Sequence, residues 1–450
     1  MMKMVYNKQQ SLIKRFLCFG FVLVSTFGFA QNKWTLQQCI SHAQENNISV
    51  KQGENLLLSN AEDVKAAKGS FLPSVSASAL HSLTLGNTEV FAGQFVDRTS
   101  NRSSIGVGFS ETIYNGLLVK NQYKQAKLVL EINDINLKQT KDDIALNVAV
   151  AYLNVLLFKE RLDIANVQYQ FSQKQLDQVK ELVAAGVQPQ VNVLDAEATL
   201  GTDAQNVTEA ENTYNLGLLN LSQLLQIPFN GFEVEILDLD TPSLALMYNQ
   251  VDDILSYALQ NRGEIVVAQK QIENSELSTK IAKAALYPRI TGSYNFGSNA
   301  FYTNLSDTEN TFFNQLNDQK SHDIGLRVDI PIFSGFQNKT AVAKSKIAEE
   351  NAKLSLQQAK LDLETTIQRA FTDAKAALKS YEAALKSNTS QKIAFNNAQE
   401  RYDIGAMNAF DLEQVRVRYI NAQSSLVNAK YDFVFKTKVL DFYIGKQITL

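Results

Sequence analysis

The chain has 450 residues, of which 43 are basic and 46 acidic, so its formal net charge at neutral pH is −3. This balance does not favour nucleic acid as a partner, because nucleic-acid-binding domains carry a clear excess of basic residues. The three histidines, His42, His81 and His322, are too far apart in sequence to match the spacing of metal ligands, and no metal or other cofactor is predicted.

Residues 1–30 have the pattern of a secretory signal peptide. Four basic residues precede an apolar run from Phe16 to Phe29, and a run of about 14 residues is too short to cross a bilayer. Without residues 1–30, which contain no acidic residue, the formal charge falls from −3 to −7 and Cys39 is the only cysteine left. The exported chain is therefore expected to have no intramolecular disulfide. No later stretch is apolar enough for a transmembrane helix.

The rest of the chain carries the same series of signals twice. Ala43 and Asn46 recur as Ala258 and Asn261, and further along Gly186 recurs as Gly405. Such a long repeat predicts two equivalent halves. The predicted domains are a first repeat at 31–227, a connector at 228–250, a second repeat at 251–446 and a C-terminal tail at 447–450.

Each repeat is predicted to open with a helix that leads into a pair of strands. The strands are predicted at 74–85 and 104–114 in the first repeat and at 289–297 and 323–332 in the second. Apolar and polar residues alternate along them, as in strands of outer-membrane barrels, which have about ten residues. The polar connectors 86–102 and 298–321 are predicted to be external loops.

Four strands are too few to close a barrel. An open sheet edge leaves backbone groups unsatisfied in lipid, so several chains would have to contribute strands to one barrel. A soluble strand pair that covers a helix bundle has the same alternation. Two such pairs on an exported chain favour the membrane.

Long helices follow the strands. Residues 117–185 and 336–404 contain no proline or glycine, and a helix of that length extends roughly 100 Å. Shorter helices are predicted at 188–226 and 407–444. The second long helix carries two apolar stripes at seven-residue spacing, one at Ile347, Leu354 and Leu361 and the other from Leu356 to Ala384. Two stripes let a helix pack on both sides and form a wall, whereas an ordinary coiled coil needs only one.

These features together resemble the TolC-type outer-membrane efflux proteins. The resemblance covers nearly the whole mature chain and depends on the order and duplication of short motifs. They include Leu72-Pro73 and Tyr287-Pro288 before the strands, Pro331 to Phe336 after the last strand, and Arg401-Tyr402 before Gly405.

The resemblance implies an α+β membrane protein that works as a homotrimer. Three chains would form a 12-stranded β-barrel in the outer membrane, continued by a periplasmic α-helical barrel. The connector at 228–250 and the C-terminal tail would form an equatorial belt. The expected function is a passive conduit in a tripartite efflux or type I secretion system for small molecules or polypeptides. The implied partners are a periplasmic adaptor protein and an inner-membrane pump of the RND or ABC type.

The resemblance also implies two groups of functional residues near the ends of the long helices. The predicted adaptor-docking tip consists of Gly186, Val187, Arg401, Tyr402, Gly405 and Ala406. For the periplasmic entrance the resemblance implies Asp411. The repeat maps Asp411 onto Asn192, and the acids about one helical turn beyond complete the hypothesis of an entrance that favours cations: Asp195, Glu197 and Glu413. The two glycines also fit helix caps, and the acids also fit solvent-facing residues in the first turns of a helix.

The sequence offers no enzymatic motif. Gly106-Val107-Gly108 lacks the lysine of a phosphate-binding loop, and Cys39 has no base beside it. Two non-enzymatic alternatives remain, a trimeric coiled-coil structural or adhesin-like surface protein and a periplasmic adaptor. Neither the transported substrate nor the type of pump is indicated.

Overall fold

The structure is a computed structural model, and it describes residues 33–236, 242, 248, 250–306, 310–446 and 448. The predicted signal peptide, about half of the connector at 228–250 and all of the tail except Ile448 lie outside the described residues. The chain divides into two compact units. The helical unit comprises the described parts of Met1–Ile48, Lys141–Val251 and Gln368–Leu450, and the sheet unit comprises those of Ser49–Thr140 and Asp252–Ile367.

Each element of the first repeat has a counterpart in the second. The first repeat contains α1 (Leu36–Asn46), α2 (Ile48–Gly69), β1 (Ser74–Phe91), β2 (Gln94–Asn115), α3 (Leu118–Ala184) and α4 (Val191–Leu225). The second contains α5 (Val251–Asn261), α6 (Gly263–Ala284), β3 (Arg289–Thr303), α7 (Phe312–Asp318), β4 (Ser321–Asp329), α8 (Gln337–Asp403) and α9 (Ala409–Tyr443). The helix lengths agree between repeats: 11 residues for α1 and α5, 22 for α2 and α6, 67 for α3 and α8, and 35 for α4 and α9. The chain is therefore built from two structural repeats.

The repeats do not coincide with the compact units. Each unit takes segments from both repeats, so packing joins equivalent parts of the two copies rather than enclosing one copy. The single helix predicted at the start of each repeat is divided in two. α1 ends at Asn46, and its first turn is fixed by Thr35, whose hydroxyl accepts a hydrogen bond from the Gln38 N–H at 3.2 Å.

The first hairpin is much longer than the predicted strands. β1 continues to Phe91 and β2 begins at Gln94, with Gly93 at a φ of 83° in the tight turn between them. The prediction that 86–102 forms a long external loop was therefore wrong. Near the turn, backbone hydrogen bonds keep β1 and β2 paired although most of the side chains there are polar. A strand of this kind shows no alternation of apolar and polar residues in the sequence.

The second hairpin differs from its prediction in other ways. β3 extends to Thr303 and the helix α7 follows, so the segment 298–321 is not a simple loop. β4 pairs with β3 from Ser321 to Asp329 rather than to the predicted residue 332. Pro331 lacks the N–H that a further ladder bond needs, which accounts for the early end of this strand.

The sheet unit contains one antiparallel sheet with the strand order β1-β2-β3-β4. Directly paired residues share a face, and the register gives the two faces different compositions. Apolar residues such as Val75, Phe109 and Tyr294 are aligned on one face. Serine, glycine and asparagine are aligned on the other, as in the paired row Ser76, Gly108 and Asn295.

Both hairpins leave the sheet through the same backbone turn. Gly116 and Leu117 have φ values of 65° and 66°, and their counterparts Gly335 and Phe336 have 57° and 66°. Two successive left-handed residues are costly without glycine at one of them. This turn directs the chain from the last strand of each repeat into its long helix.

The two apolar stripes of α8 have different environments. Leu363 and Ala377, from the second stripe, are each only 4% exposed. Ile347, Leu354 and Leu361, from the first stripe, are 62%, 54% and 57% exposed. One stripe therefore packs within the chain, and the other is open in a single chain.

The helical unit has its core around the middle of α3. Tyr152 is fully buried, and its hydroxyl donates to the Glu235 carbonyl oxygen at 2.6 Å. Burial raises the pKa of Tyr152, with smaller contributions from Cys39 and Glu235. Burial also raises the pKa of the Cys39 thiol to about 12, so this thiol is protonated at neutral pH.

Candidate functional site

The helix ends that carry the predicted tip residues have the same cap. Gly186 and Gly405 have φ values of 73° and 74°. The Gly186 N–H donates to the Val183 carbonyl at 2.9 Å, and the Val187 N–H donates to the Leu182 carbonyl at 2.9 Å. This pattern is a Schellman motif, which ends a helix while satisfying its last carbonyl groups.

The second turn repeats this pattern. The Gly405 N–H donates to the carbonyl of Tyr402 at 2.9 Å, and the Ala406 N–H donates to that of Arg401 at 2.8 Å. Arg401 thus supports the turn through its backbone, while its side chain is exposed. The cap role of the two glycines is present in the structure, whatever else they do.

The exposed surface of the two turns is partly apolar. Val187 is 69% exposed and Ile404 is 80% exposed, while Gly186, Gly405 and Ala406 are also exposed. Tyr402 is the exception among the predicted tip residues, because it is only 8% exposed. It packs in a core cluster with Ala398 and Leu412. The prediction that Tyr402 lies on the docking surface was therefore wrong, because its side chain packs against Leu412 of α9 instead.

The helices that follow the turns begin differently. The Asn408 side chain accepts from the Asp411 N–H at 2.8 Å, and its amide donates to the Asp411 carboxylate at 2.9 Å. At the start of α4, Gln190 makes no side-chain cap, and Pro189 precedes it. Asp411 is thus an exposed acid in the first turn of α9 that takes part in its cap. Its negative charge is favourable there, because the N-terminus of a helix carries a partial positive charge.

The four predicted entrance acids divide into two pairs. Asp195 and Glu413 line the same cavity of 360 Å³ within the helical unit, together with polar and apolar residues of α3, α4 and α9. Phe410, Thr199 and Gln175 are among its other lining residues. Glu197 and Asp411 do not line it. The structure therefore brings one predicted acid from each repeat to a common cavity.

Three of these acids have polar partners. Glu197 lies 3.6 Å from the Lys180 ammonium in an exposed ion pair, and Asp411 is held by Asn408. Glu413 accepts two hydrogen bonds from the Arg416 guanidinium, at 2.7 and 2.8 Å. In the part of the chain that the structure describes, no basic group lies within 4 Å of the Asp195 carboxylate. Asp195 is therefore the acid whose charge is least compensated.

A buried charge network that adjoins the cavity through Ser172 and Glu413 was not predicted. Arg416 on α9 is 3% exposed, and its Nη1 donates to Asp203 on α4 at 2.9 Å and to the Ser172 hydroxyl on α3 at 3.2 Å. The Ser172 hydroxyl also donates to Asp203. Burial lowers the pKa of Arg416, but hydrogen bonds and charges of Glu413 and Asp203 outweigh it and raise the pKa above its usual value. Arg416 thus remains charged and connects three helices.

A signal for this network exists in the sequence. Asp203 follows Val193, Ala196 and Leu200 at the spacing of one helix face, and Arg416 follows Leu412 in the same way. Opposite charges on two apolar faces indicate a buried pair, because a buried charge needs a partner.

Other chemistry finds little support among the described residues. No group of three or more histidine, cysteine or acidic side chains in those residues is arranged to hold a metal ion. None of the described helices has a stretch long and apolar enough to span a membrane.

A family comparison identifies this architecture. The family model described as "Outer membrane efflux protein" matches residues 39–225 and 254–446. The chain belongs to this family. The predicted resemblance, the outer-membrane location and the function as an outer-membrane channel in efflux or secretion are confirmed. The adhesin-like and adaptor alternatives are excluded, since both repeats match a family of transport proteins.

Relatives and solved structures agree with this membership. The outer membrane protein TolC of Vibrio cholerae is 22% identical over 441 residues, which cover 97% of this chain and 95% of that protein. The crystal structure of CusC, described in terms of folding and transmembrane channel formation, has a TM-score of 0.77 at 16% identity and covers 92% of both chains. VceC of Vibrio cholerae has a TM-score of 0.74 at 16% identity, over 91% of this chain and 96% of that one. These likenesses establish that this efflux protein has the fold of outer-membrane channels.

Proposed function

We propose that three copies of this chain form a passive conduit, with four strands from each copy in one closed barrel. The exposed stripe of α8 is the observation that carries this proposal. Ile347, Leu354 and Leu361 recur every seven residues and are more than half exposed in one chain. A helix stripe of this kind supports packing against a neighbouring helix, and burial of one leucine contributes about 1.5–3 kcal/mol.

The sheet supports the same assembly. Among the described residues β1 and β4 each pair with one strand only, so both edges of the sheet are open in that part of the chain. Side chains on the apolar face, such as Ile324 at 83% and Leu326 at 69%, are widely exposed. In a membrane these edges need partners, which the edges of two further copies supply.

A pair of matched variants tests the assembly. Leu354→Glu places a charge in the exposed stripe, and Ser355→Glu places the same charge on an exposed polar position about 100° further around the same helix, outside the stripe. Mass measurement of the detergent-solubilised protein should give trimers for the wild type and Ser355→Glu, and smaller species for Leu354→Glu. A trimer of unchanged stability for Leu354→Glu would contradict the role of this stripe.

The acids near the helix reversals are proposed to favour cations at the periplasmic entrance. Asp195 should contribute most, because Glu197, Asp411 and Glu413 each have a polar partner. In planar bilayers Asp195→Asn should reduce cation preference and conductance more than Glu197→Gln does. Equal behaviour of wild type and Asp195→Asn would remove the entrance role and leave these acids as solvent-facing residues.

The exposed turns are proposed to dock a periplasmic adaptor, which links the channel to an inner-membrane pump of the RND or ABC type. Val187 and Ala406 offer small apolar contacts on rigid caps, and Arg401 adds a positive charge. Because Cys39 is buried, single cysteines at Val187 or Ala406 allow specific cross-linking to a periplasmic adaptor that is co-expressed with this chain. Thr208→Cys, on an exposed position of α4, is the control. Equal cross-linking at Thr208 and Val187 would argue against docking at the turns.

A further inference from the structure

The polar face of the sheet carries one aromatic residue with two arginines over it. Along this face the strands present mostly serine and glycine, as in the paired rows that start at Ser74, Ser76 and Ser78. Phe301 on β3 pairs with Arg102 on β2, and Arg98 lies four residues away on the same face. A row of small polar residues thus gives way to an aromatic and basic cluster.

Both guanidinium groups lie over the Phe301 ring. Their central carbons lie 5.8 Å (Arg98) and 5.7 Å (Arg102) from the ring centroid, within the range of a cation–π contact. Such a contact does not need the hydrogen-bonding capacity of a guanidinium, which has five N–H donors. Among the described residues neither arginine is within 4 Å of a carboxylate, although Asp307 and Glu309 lie outside those residues. Within the part of the chain that the structure describes, the ring therefore has two positive charges beside it without an acidic partner.

The cluster lies toward the hairpin end of the strands. Along β2, Arg102 lies eight residues from Ser110 in the direction of the hairpin, which is about 27 Å of strand. Arg98 lies about 13 Å closer still to the hairpin. Acids on the polar face of β4, Asp323 and Asp329, pair with Asn295 and Arg289. They are therefore nearer the helix-connected end than the arginines are.

We propose that Arg98, Arg102 and Phe301 form an anion-binding site at the outer mouth of the channel, for solutes that carry phosphate, sulfate or carboxylate groups. The proposal rests on the closed trimeric barrel, in which the polar face lines the lumen and three copies supply six guanidinium groups. Guanidinium binds such oxyanions through two parallel N–H···O bonds. The charge of this site is positive, whereas that of the proposed periplasmic entrance is negative. The outer mouth therefore retains anions, which the entrance disfavours.

Block of single-channel current tests this site. Inositol hexakisphosphate is added to the hairpin side of trimers in bilayers of neutral phosphatidylcholine. The wild type should be blocked, and the variant R98Q/R102Q should need at least about tenfold more of the anion, because charge-assisted hydrogen bonds are lost. Arg327→Gln is the matched control, since Arg327 lies on the same face but pairs with Asp329 at 3.0 Å. Its block should equal that of the wild type.

The outcomes separate this proposal from the channel function. Conducting wild-type trimers that are not blocked, or that are blocked as strongly as R98Q/R102Q, would overturn the anion site and leave the conduit intact. Failure to form conducting trimers at all would instead contradict the proposed assembly. A second experiment, in a bilayer with lipopolysaccharide in the outer leaflet, distinguishes an arginine site for solutes in the lumen from one for lipid phosphate. Loss of the block there would assign the arginines to lipid phosphate and overturn the solute site.

Discussion

Replacing Arg416 should destabilise the helical unit more than any change of a single surface charge. Arg416→Met keeps a long side chain but removes the guanidinium that joins α9 to α3 and α4. Asp203, whose side chain is 8% exposed, then loses the only ion pair that the described residues give it. A carboxylate left in this position keeps its burial penalty without compensation.

The size of the effect follows from the two ion pairs of Arg416. Breaking a buried pair by removing one partner costs about 3–5 kcal/mol, which applies to Asp203 at a distance of 2.9 Å. The pair with Glu413 adds no more than about 1 kcal/mol, because that side chain is 31% exposed and screened by solvent. We therefore expect Arg416→Met to lower the free energy of unfolding by about 3–5 kcal/mol.

A double-mutant cycle separates the lost pair from the lost packing. The second change is Asp203→Leu, which removes the buried carboxylate. Replacement of a whole buried pair by apolar residues is often neutral, so the double variant should recover most of the loss, with a coupling energy of about 2–4 kcal/mol. The Ser172 hydroxyl keeps the Gln168 carbonyl as an acceptor at 3.2 Å, so the double variant leaves it satisfied.

The measurement is guanidinium-induced unfolding in detergent, followed by helical circular dichroism at a fixed protein concentration, because assembly shifts apparent stability. Arg418→Met, an exposed arginine on the same helix, is the control and should change stability by no more than about 0.5 kcal/mol. The reasoning fails if Arg416→Met behaves like Arg418→Met, or if the effects of Arg416→Met and Asp203→Leu simply add.

Three further predictions concern the backbone turns, the buried thiol and the helix cap. Gly116→Ala should destabilise more than Gly335→Ala, because both have a left-handed backbone but only at Gly116 would a Cβ lie 2.9 Å from the Ala284 carbonyl oxygen; thermal unfolding of both variants checks this. Cys39 should react with maleimide at pH 8 only after unfolding, since burial raises its pKa to about 12, and rapid labelling of the folded trimer would contradict its burial. Asn408→Ala should cost about 1 kcal/mol through loss of the cap, and an unchanged midpoint of chemical unfolding would show that the cap is dispensable.

The sequence predicted those parts of the fold in which side chains repeat with a regular period. The stripe at Ile347, Leu354 and Leu361 predicted an outward-packing helix face, and the structure leaves this face exposed. The outer parts of β1 and β2 could not be predicted, because polar residues continue the ladder through backbone bonds alone. The left-handed backbone of Gly93 forms a tight turn between β1 and β2, where a long loop was expected.

The candidate site was predicted less completely than the fold. The family resemblance placed Tyr402 at the tip, but in the structure its side chain packs in the core beside Leu412. The partners of the acids were visible only in part. The i,i+3 spacing of Glu413 and Arg416 allows their contact within one helix, but the sequence does not show that Arg416 also meets Asp203, more than 200 residues away. Long-range pairs of this kind depend on how the two repeats pack.

The two repeats use their acidic residues differently near the helix reversals. Asp411 in the second repeat is joined to the Asn408 cap, and its counterpart Asn192 in the first repeat carries no charge. Asp195, three residues after Asn192, instead lines the cavity without a basic partner among the described residues. The first repeat thus offers an available negative charge, whereas the second uses its acids to fix α9 in place. Because Asn192 lines this cavity too, Asn192→Asp together with Asp195→Asn keeps one negative charge on its lining. Conductance in planar bilayers should therefore fall less in this double variant than in Asp195→Asn alone, and an equal fall in both would show that the position of the charge, not its presence, matters.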